Sequence, residues 1–121
     1  MKISRSVLSG VPLIRLDGEV DHKGGAELQS AVQEVLASGA RQILIDVESC
    51  AYLDSAGLSI LLRLAEEFRG CGWVGTIAPS RMALRLFDLV GLTAEPDFRI
   101  FPSMSDARTV LRGRDRPPAE D

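Results

Sequence analysis

The chain has 121 residues, of which 45% are hydrophobic and 26% charged, the composition of a single globular domain. Its net charge of −3 argues against nucleic acid or an anionic membrane as the main partner. Apolar runs are too short to span a bilayer, and no signal-peptide core follows Lys2 and Arg5, so we expect a cytoplasmic protein. Two cysteines and one histidine fit no metal-ligand spacing, so we predict neither a metal nor a cofactor.

The N-terminal residues predict a β-hairpin. Residues 2–8 alternate weakly and end at a Ser9-Gly10 turn pair, and residues 11–17 carry apolar side chains suited to a second strand. Because Pro12 has no backbone N–H group, we expect its end of the second strand to be either a sheet edge or the start of the strand. A polar loop with three glycines is expected to follow, over residues 17–25.

Helices and strands alternate over the rest of the chain. Apolar periodicity predicts helices at 25–38, 56–69, 80–90 and 103–112, and Ser80 and Ser103 are predicted to cap the last two. Short apolar runs predict strands at 42–47, 73–78 and 98–101. We therefore predict one α/β domain over residues 1–112, with a mostly parallel mixed sheet, an antiparallel N-terminal edge strand and about four helices. The remaining tail, 113–121, has no apolar residue beyond Ala and Pro and is expected to be disordered.

Asp54 and Ser55 stand where a loop leaving the strand at 42–47 enters a helix. Both are residue types that satisfy the unpaired N–H groups at a helix start. The same N–H groups and the positive end of the helix dipole also make a seat for a phosphate. From the local sequence, Ser55 is therefore either a plain cap or a phosphorylation site.

The chain lacks the residue sets that common enzymes assemble. Its only histidine has no convincing nucleophile beside it, and no Gly-x-Ser-x-Gly, Walker A or Gly-x-Gly-x-x-Gly motif is present. A phospho-aspartate receiver domain would need a lysine after its last strand, but the only lysines are Lys2 and Lys23. We therefore predict a protein that is not an enzyme.

Five short segments together resemble the STAS domain, specifically that of the bacterial anti-sigma factor antagonists. In order, and at the intervals of that family, they are GEVD at 18–21, LIDV at 44–47, LDSAGL at 53–58, APS at 78–80 and LVGL at 89–92. The resemblance covers residues 3–112 and implies the small mixed sheet with helices of that family.

The resemblance also implies a partner switch. An unphosphorylated antagonist binds an anti-sigma factor, a histidine-kinase-like ATPase with serine kinase activity, and so frees a sigma factor. The kinase phosphorylates the serine of an Asp-Ser-x-Gly motif, here Ser55, and a PP2C-type phosphatase restores it. Asp21 and Asp54 match the acidic residues beside that serine, and Gly57 would let a partner approach the hydroxyl closely.

Position and charge add to this expectation. Loops that follow parallel strands meet at one sheet edge, so we expect Asp21 to be exposed, with its carboxylate within about two hydrogen-bond lengths of the Ser55 hydroxyl. A phosphate on Ser55 would add about −1.5 to −2 charge beside these carboxylates, and should disrupt partner binding more than folding.

Some alternatives stay open from the sequence. Ile60 and Leu64 lie beside the core stripe of their helix and are either partner contacts or ordinary core, and Met82 and Phe87 pose the same choice on the next helix. We assign that next helix an apolar stripe made of Met82, Leu86, Leu89 and Val90.

The alternative function is a STAS domain that binds a small molecule or lipid, or that is a scaffold in a sensory or transport complex. A serine at position 55 favours the switch.

Overall fold

A computed structural model of the protein describes residues 2–20 and 22–115. The strands are β1 (Lys2–Leu8), β2 (Val11–Val20), β3 (Gln42–Leu53), β4 (Trp73–Ile77) and β5 (Phe98–Phe101). The α-helices are α1 (His22–Ala37), α2 (Ser55–Glu67), α3 (Arg81–Leu89) and α4 (Met104–Asp115), with a 3-10 turn at Leu92–Ala94. No helix within these two ranges has both the length and the apolar character needed to cross a membrane.

The five strands form one sheet in the order β1-β2-β3-β4-β5. β1 is antiparallel to β2, with Leu8 opposite Val11 at the turn, and every other neighbouring pair is parallel. The predicted fold class is confirmed: a mostly parallel mixed sheet with an antiparallel N-terminal edge strand and four helices.

Helices cover both faces of the sheet. Helices α1, α2 and α3 lie on one face, as expected when successive parallel strands are joined by crossovers of the same hand. Helix α4 covers part of the other face, with Ala107 and Leu111 in its core. Because β3 is central and covered on both sides, Ile43, Leu44 and Ile45 are all at most 1% exposed.

Two strands are longer than the sequence pattern predicts. β2 continues to Val20 and β3 to Leu53, so residues expected in polar loops pair with each other along the sheet. The register of this extension is irregular, with shifts along β2 on both sides of Asp17 and Gly18. Polar residues there show no strand periodicity, and pairing with the neighbouring backbone makes them extended, as strand formation depends strongly on context.

The ends of the later helices follow the sequence more closely. Ser80 Oγ accepts the N–H of Ala83 at 3.0 Å, and Ser103 Oγ accepts the N–H of Asp106 at 3.0 Å, so both predicted caps are confirmed. Helix α4 runs three residues past the expected end at 112. The rest of the tail expected to be disordered, residues 116–121, lies outside the described residues.

Candidate functional site

Helices α1, α2 and α3 all begin at the sheet edge where the parallel strands end. β2 ends at Val20, which pairs with Leu53, the last residue of β3. β4 ends at Ile77, and Ser80 caps the helix that follows. In open α/β sheets, ligands and partners bind at this carboxyl edge, so this edge is the candidate site.

Asp54 is the N-cap residue of α2. Its backbone is extended, with φ −87° and ψ −173°, and its Oδ1 atom accepts the N–H of Ala56 at 2.9 Å and of Gly57 at 3.2 Å. Its carbonyl oxygen accepts the N–H of Leu58 at 3.0 Å, the first bond of the helix. The helix start is therefore satisfied by the aspartate, and the cap is Asp54 rather than Ser55.

Ser55 is the first residue of α2, and it is exposed. Among the residues that the structure describes, none hydrogen-bonds to its hydroxyl. The first turn of α2 contains no acidic side chain. An exposed hydroxyl at the positive end of a helix dipole is chemically suited to receive a phosphate.

The start of α1 packs tightly against the start of α2. Gly24 and Gly25 are both buried, and a Cβ atom added to Gly25 would lie 2.9 Å from the Cβ of Ala56, closer than such atoms approach in proteins. Glycine at this position lets α1 reach the residue that follows Ser55. Asp21 lies outside the described residues, so its expected distance from Ser55 stays a prediction.

Ile60 and Leu64, whose role the sequence left open, are both buried on α2. Ile60 is 6% exposed and Leu64 1%, and both line a narrow cleft between α2 and α1. Helix α1 covers this side of α2, so of the two alternatives that the sequence left open for Ile60 and Leu64, burial favours the core over a partner contact. Gly57 is also buried, and its N–H is held by the Asp54 carboxylate.

Helix α3 buries some of its apolar residues and exposes others. The core receives Phe87, which is fully buried, and Ala83, which is 7% exposed. Met82, whose role the sequence left open, is 67% exposed, and Leu89 of the predicted apolar stripe is 75% exposed. Sequence reasoning also missed Tyr52, which lies three residues before Ser55 and is 54% exposed.

A small pocket lies between β3 and α3 at this edge. Its volume is about 100 Å³, and it is lined by Val47, Cys50, Tyr52, Leu53, Ser80, Met82, Ala83 and Leu86. Within the described ranges, no cluster of three His, Cys, Asp or Glu residues is placed to hold a metal ion. The chemistry offered by the described part of this edge is therefore a hydroxyl, a capping carboxylate and an apolar surface.

Comparison with known proteins agrees with this geometry. A family model described as "Mlab, STAS domain" matches residues 5–100, so the chain belongs to the STAS domain family. The anti-sigma-F factor antagonist RsfB of Mycobacterium tuberculosis is 32% identical over 105 residues, which cover 87% of this chain and 84% of that protein. Within the STAS domain family, the chain thus belongs to the anti-sigma factor antagonist family.

Solved structures show the same fold. An anti-sigma factor antagonist from Mycobacterium paratuberculosis superposes with a TM-score of 0.77 at 27% identity, covering 92% of this chain and 93% of that one. The Bacillus cell fate determinant SpoIIAA in its phosphorylated form superposes with a TM-score of 0.72 at 23% identity, covering 92% and 100%. The resemblance stated from the sequence motifs is confirmed.

Proposed function

We propose that this antagonist is switched by phosphorylation of Ser55. In its unphosphorylated form it binds an anti-sigma factor, a histidine-kinase-like ATPase with serine kinase activity, and thereby frees a sigma factor in the cytoplasm. The bound kinase phosphorylates Ser55 and the complex separates, and a PP2C-type phosphatase restores the hydroxyl. In this proposal the chain acts by binding and catalyses nothing itself.

The observation that carries the proposal is the division of roles between Asp54 and Ser55. Asp54 holds the N–H groups of Ala56 and Gly57, and no residue of the described ranges hydrogen-bonds to the exposed Ser55 hydroxyl. A phosphate there can draw up to ~2 kcal/mol from the helix dipole in a favourable geometry. The fold therefore tolerates phosphorylation.

The phosphate favours the folded domain at the helix start, but it disfavours partner binding. It adds about −1.5 to −2 charge directly beside the Asp54 carboxylate. In a docked complex that charge would have to leave water, which costs several kcal/mol unless a cationic group of the partner pairs with it. Phosphorylation of Ser55 should therefore release the partner while the domain stays folded.

Asp21 belongs to the same site in this proposal. The pairing of Val20 with Leu53 supports this, because Asp21 and Asp54 are the residues that follow these two in sequence. Two roles are compatible with a carboxylate there: orienting the Ser55 hydroxyl, or contacting the metal–nucleotide end of the kinase.

The pocket next to the site bears on the alternative of a small-molecule or lipid receptor. Its volume of about 100 Å³ is well below the ~300–1,000 Å³ of typical ligand sites. The space next to this site therefore fits a protein side chain better than a metabolite, which favours the regulatory switch at Ser55.

Phosphosite mapping tests the proposal. The protein is incubated with Mg-ATP and each candidate anti-sigma kinase of its own organism, and the modified residue is identified by mass spectrometry. We expect one phosphate, on Ser55, that is absent from Ser55→Ala. Ser59 is an exposed serine one turn further along α2 and supplies the matched control, since Ser59→Ala should be phosphorylated like the wild type. Phosphate on Ser59, or undiminished labelling of Ser55→Ala, would contradict the proposal.

A further inference from the structure

Helix α3 carries more apolar surface than its packing against the sheet uses. Its inner side, Ala83 and Phe87, is buried in the core. On its outer side Met82 and Leu89, seven positions apart, are 67% and 75% exposed, and Leu86 is half-buried between this side and the core. Contiguous exposed apolar surface of this kind marks an interaction site more often than a solvated one.

This outer side borders the small pocket beside Ser55. Met82 and Leu86 form part of the pocket wall on α3, and Tyr52 and Leu53 form part of it on β3. The last two residues directly precede Asp54 and Ser55 in the chain. We call the surface made by Tyr52, Met82, Leu86 and Leu89 the α3 surface, and it lies at the same edge of the sheet as the proposed phosphorylation site.

The α3 surface has a basic margin. Arg81 and Arg85 are exposed one helical turn apart, a spacing at which like charges repel each other by a few tenths of a kcal/mol. Neither arginine forms an ion pair with any residue of the described ranges. Asp88, on the same helix, accepts a hydrogen bond from Thr93 Oγ1 at 2.9 Å. A basic margin on a chain of net charge −3 is electrostatically complementary to a partner that supplies carboxylates.

We propose that the α3 surface docks an acidic amphipathic segment of the anti-sigma factor. One apolar side chain of that segment enters the pocket between Tyr52 and Met82, and its carboxylates pair with Arg81 and Arg85. The inference rests on the proposed function, because the same partner must reach Ser55. The α3 surface then supplies affinity away from the phosphorylated residue, so that the kinase is held while its active site engages the hydroxyl.

Other occupants fit the surface less well. A basic, apolar helix face also suits an anionic membrane, but a lipid surface does not fill a pocket, and the net charge of −3 opposes such binding. A second copy of this chain would bring the same two arginines to the contact, at a cost in charge repulsion.

The test uses the anti-sigma factor that binds the wild-type chain, with affinities measured by calorimetry. We expect Met82→Asp to weaken binding about tenfold or more, because it places a charge where an apolar contact forms. Arg85→Glu should also weaken binding and reduce its dependence on salt. Val7→Asp is the matched control for Met82→Asp, since Val7 is also 67% exposed but lies on β1. Arg108→Glu, on the exposed side of α4, is the control for the arginine.

The outcomes distinguish the docking surface from the switch. If Met82→Asp binds like the wild type while Ser55→Asp does not bind, the docking inference is overturned and the switch stands. If the wild type binds no anti-sigma factor, the proposed function is overturned, and so is the inference that the α3 surface docks a segment of that partner. The docking inference is also overturned if the wild type, but not Met82→Asp, sediments with phosphatidylglycerol vesicles. A wild-type dimer that Met82→Asp dissociates would overturn it in favour of a second copy.

Discussion

The Oδ1 atom of Asp54 lies 2.9 Å from the backbone nitrogen of Ala56, and this hydrogen bond holds the first turn of α2 closed across Ser55. The same oxygen accepts a second hydrogen bond from the N–H of Gly57, at 3.2 Å, which completes the cap. Stability and signalling are therefore assigned to adjacent residues, and they can be tested separately.

Loss of the cap should cost stability that loss of the hydroxyl does not. We expect Asp54→Ala to lower the free energy of unfolding by about 1 kcal/mol, because two backbone donors lose their partner. Ser55→Ala should change it by no more than about 0.5 kcal/mol, as for other exposed positions. Urea unfolding measures both variants. Equal losses from the two changes would mean that Ser55 shares the capping role.

A negative charge at position 55 should strongly weaken partner binding without unfolding the domain. We expect Ser55→Ala to bind the anti-sigma factor like the wild type, and Ser55→Asp to bind much more weakly. Ser55→Asp should keep its stability, since an acidic group in the first turn of a helix gains about 0.3–1 kcal/mol from the dipole. Ser59→Asp adds the same charge one turn further on and is the control. Calorimetry giving equal affinities for Ser55→Ala and Ser55→Asp would count against the switch.

Asp21 should matter for the phosphorylation rate and little for stability. We expect Asp21→Asn to slow phosphorylation of Ser55 by the anti-sigma kinase, measured as initial incorporation of phosphate from labelled ATP. Its melting temperature should move by less than about 3 °C, because surface substitutions rarely exceed ~0.5 kcal/mol. Asp17→Asn, an exposed carboxylate on β2, is the control. If the two variants are phosphorylated at the same rate, Asp21 does not belong to the site.

The contact between Gly25 and Ala56 can be tested by a rescue experiment. Replacing a helical glycine by alanine normally gains up to about 1 kcal/mol. Here we expect Gly25→Ala to destabilise the domain by about 1–3 kcal/mol, because the new Cβ would meet that of Ala56 at 2.9 Å. Gly25→Ala combined with Ala56→Gly should recover part of the loss in denaturant titrations. Strict additivity of the two changes would show that the helix starts do not touch.

Ile60 should behave as a core residue and not as a partner contact. Because Ile60 is only 6% exposed, we expect Ile60→Ala to lower the free energy of unfolding by about 2–5 kcal/mol and Ile60→Val by about 0.5–1.5 kcal/mol. The valine variant stays folded, so it separates the two roles: its affinity for the anti-sigma factor should match that of the wild type. A large loss of affinity in Ile60→Val, with stability nearly unchanged, would show that Ile60 contacts the anti-sigma factor.

The sequence by itself determined those features that depend on neighbours a few residues apart. The alternation of short apolar runs with helical periodicity gave the α/β class, and Ser80 and Ser103 located two helix starts. The position of Asp54 and Ser55 at the start of α2 was likewise readable, because a cap involves only the next two or three residues.

Tertiary structure decided which surfaces face inward. β2 and β3 extend to Val20 and Leu53 because each backbone finds the other, a pairing between segments about thirty residues apart in the chain. Helix α3 has two apolar sides, and its own sequence does not choose between them. The choice comes from Phe87, whose ring packs edge-on against Phe98 of β5 with 5.3 Å between centroids. This contact buries one side of α3 and leaves Met82 and Leu89 exposed, because a helix cannot turn both of its sides to one sheet.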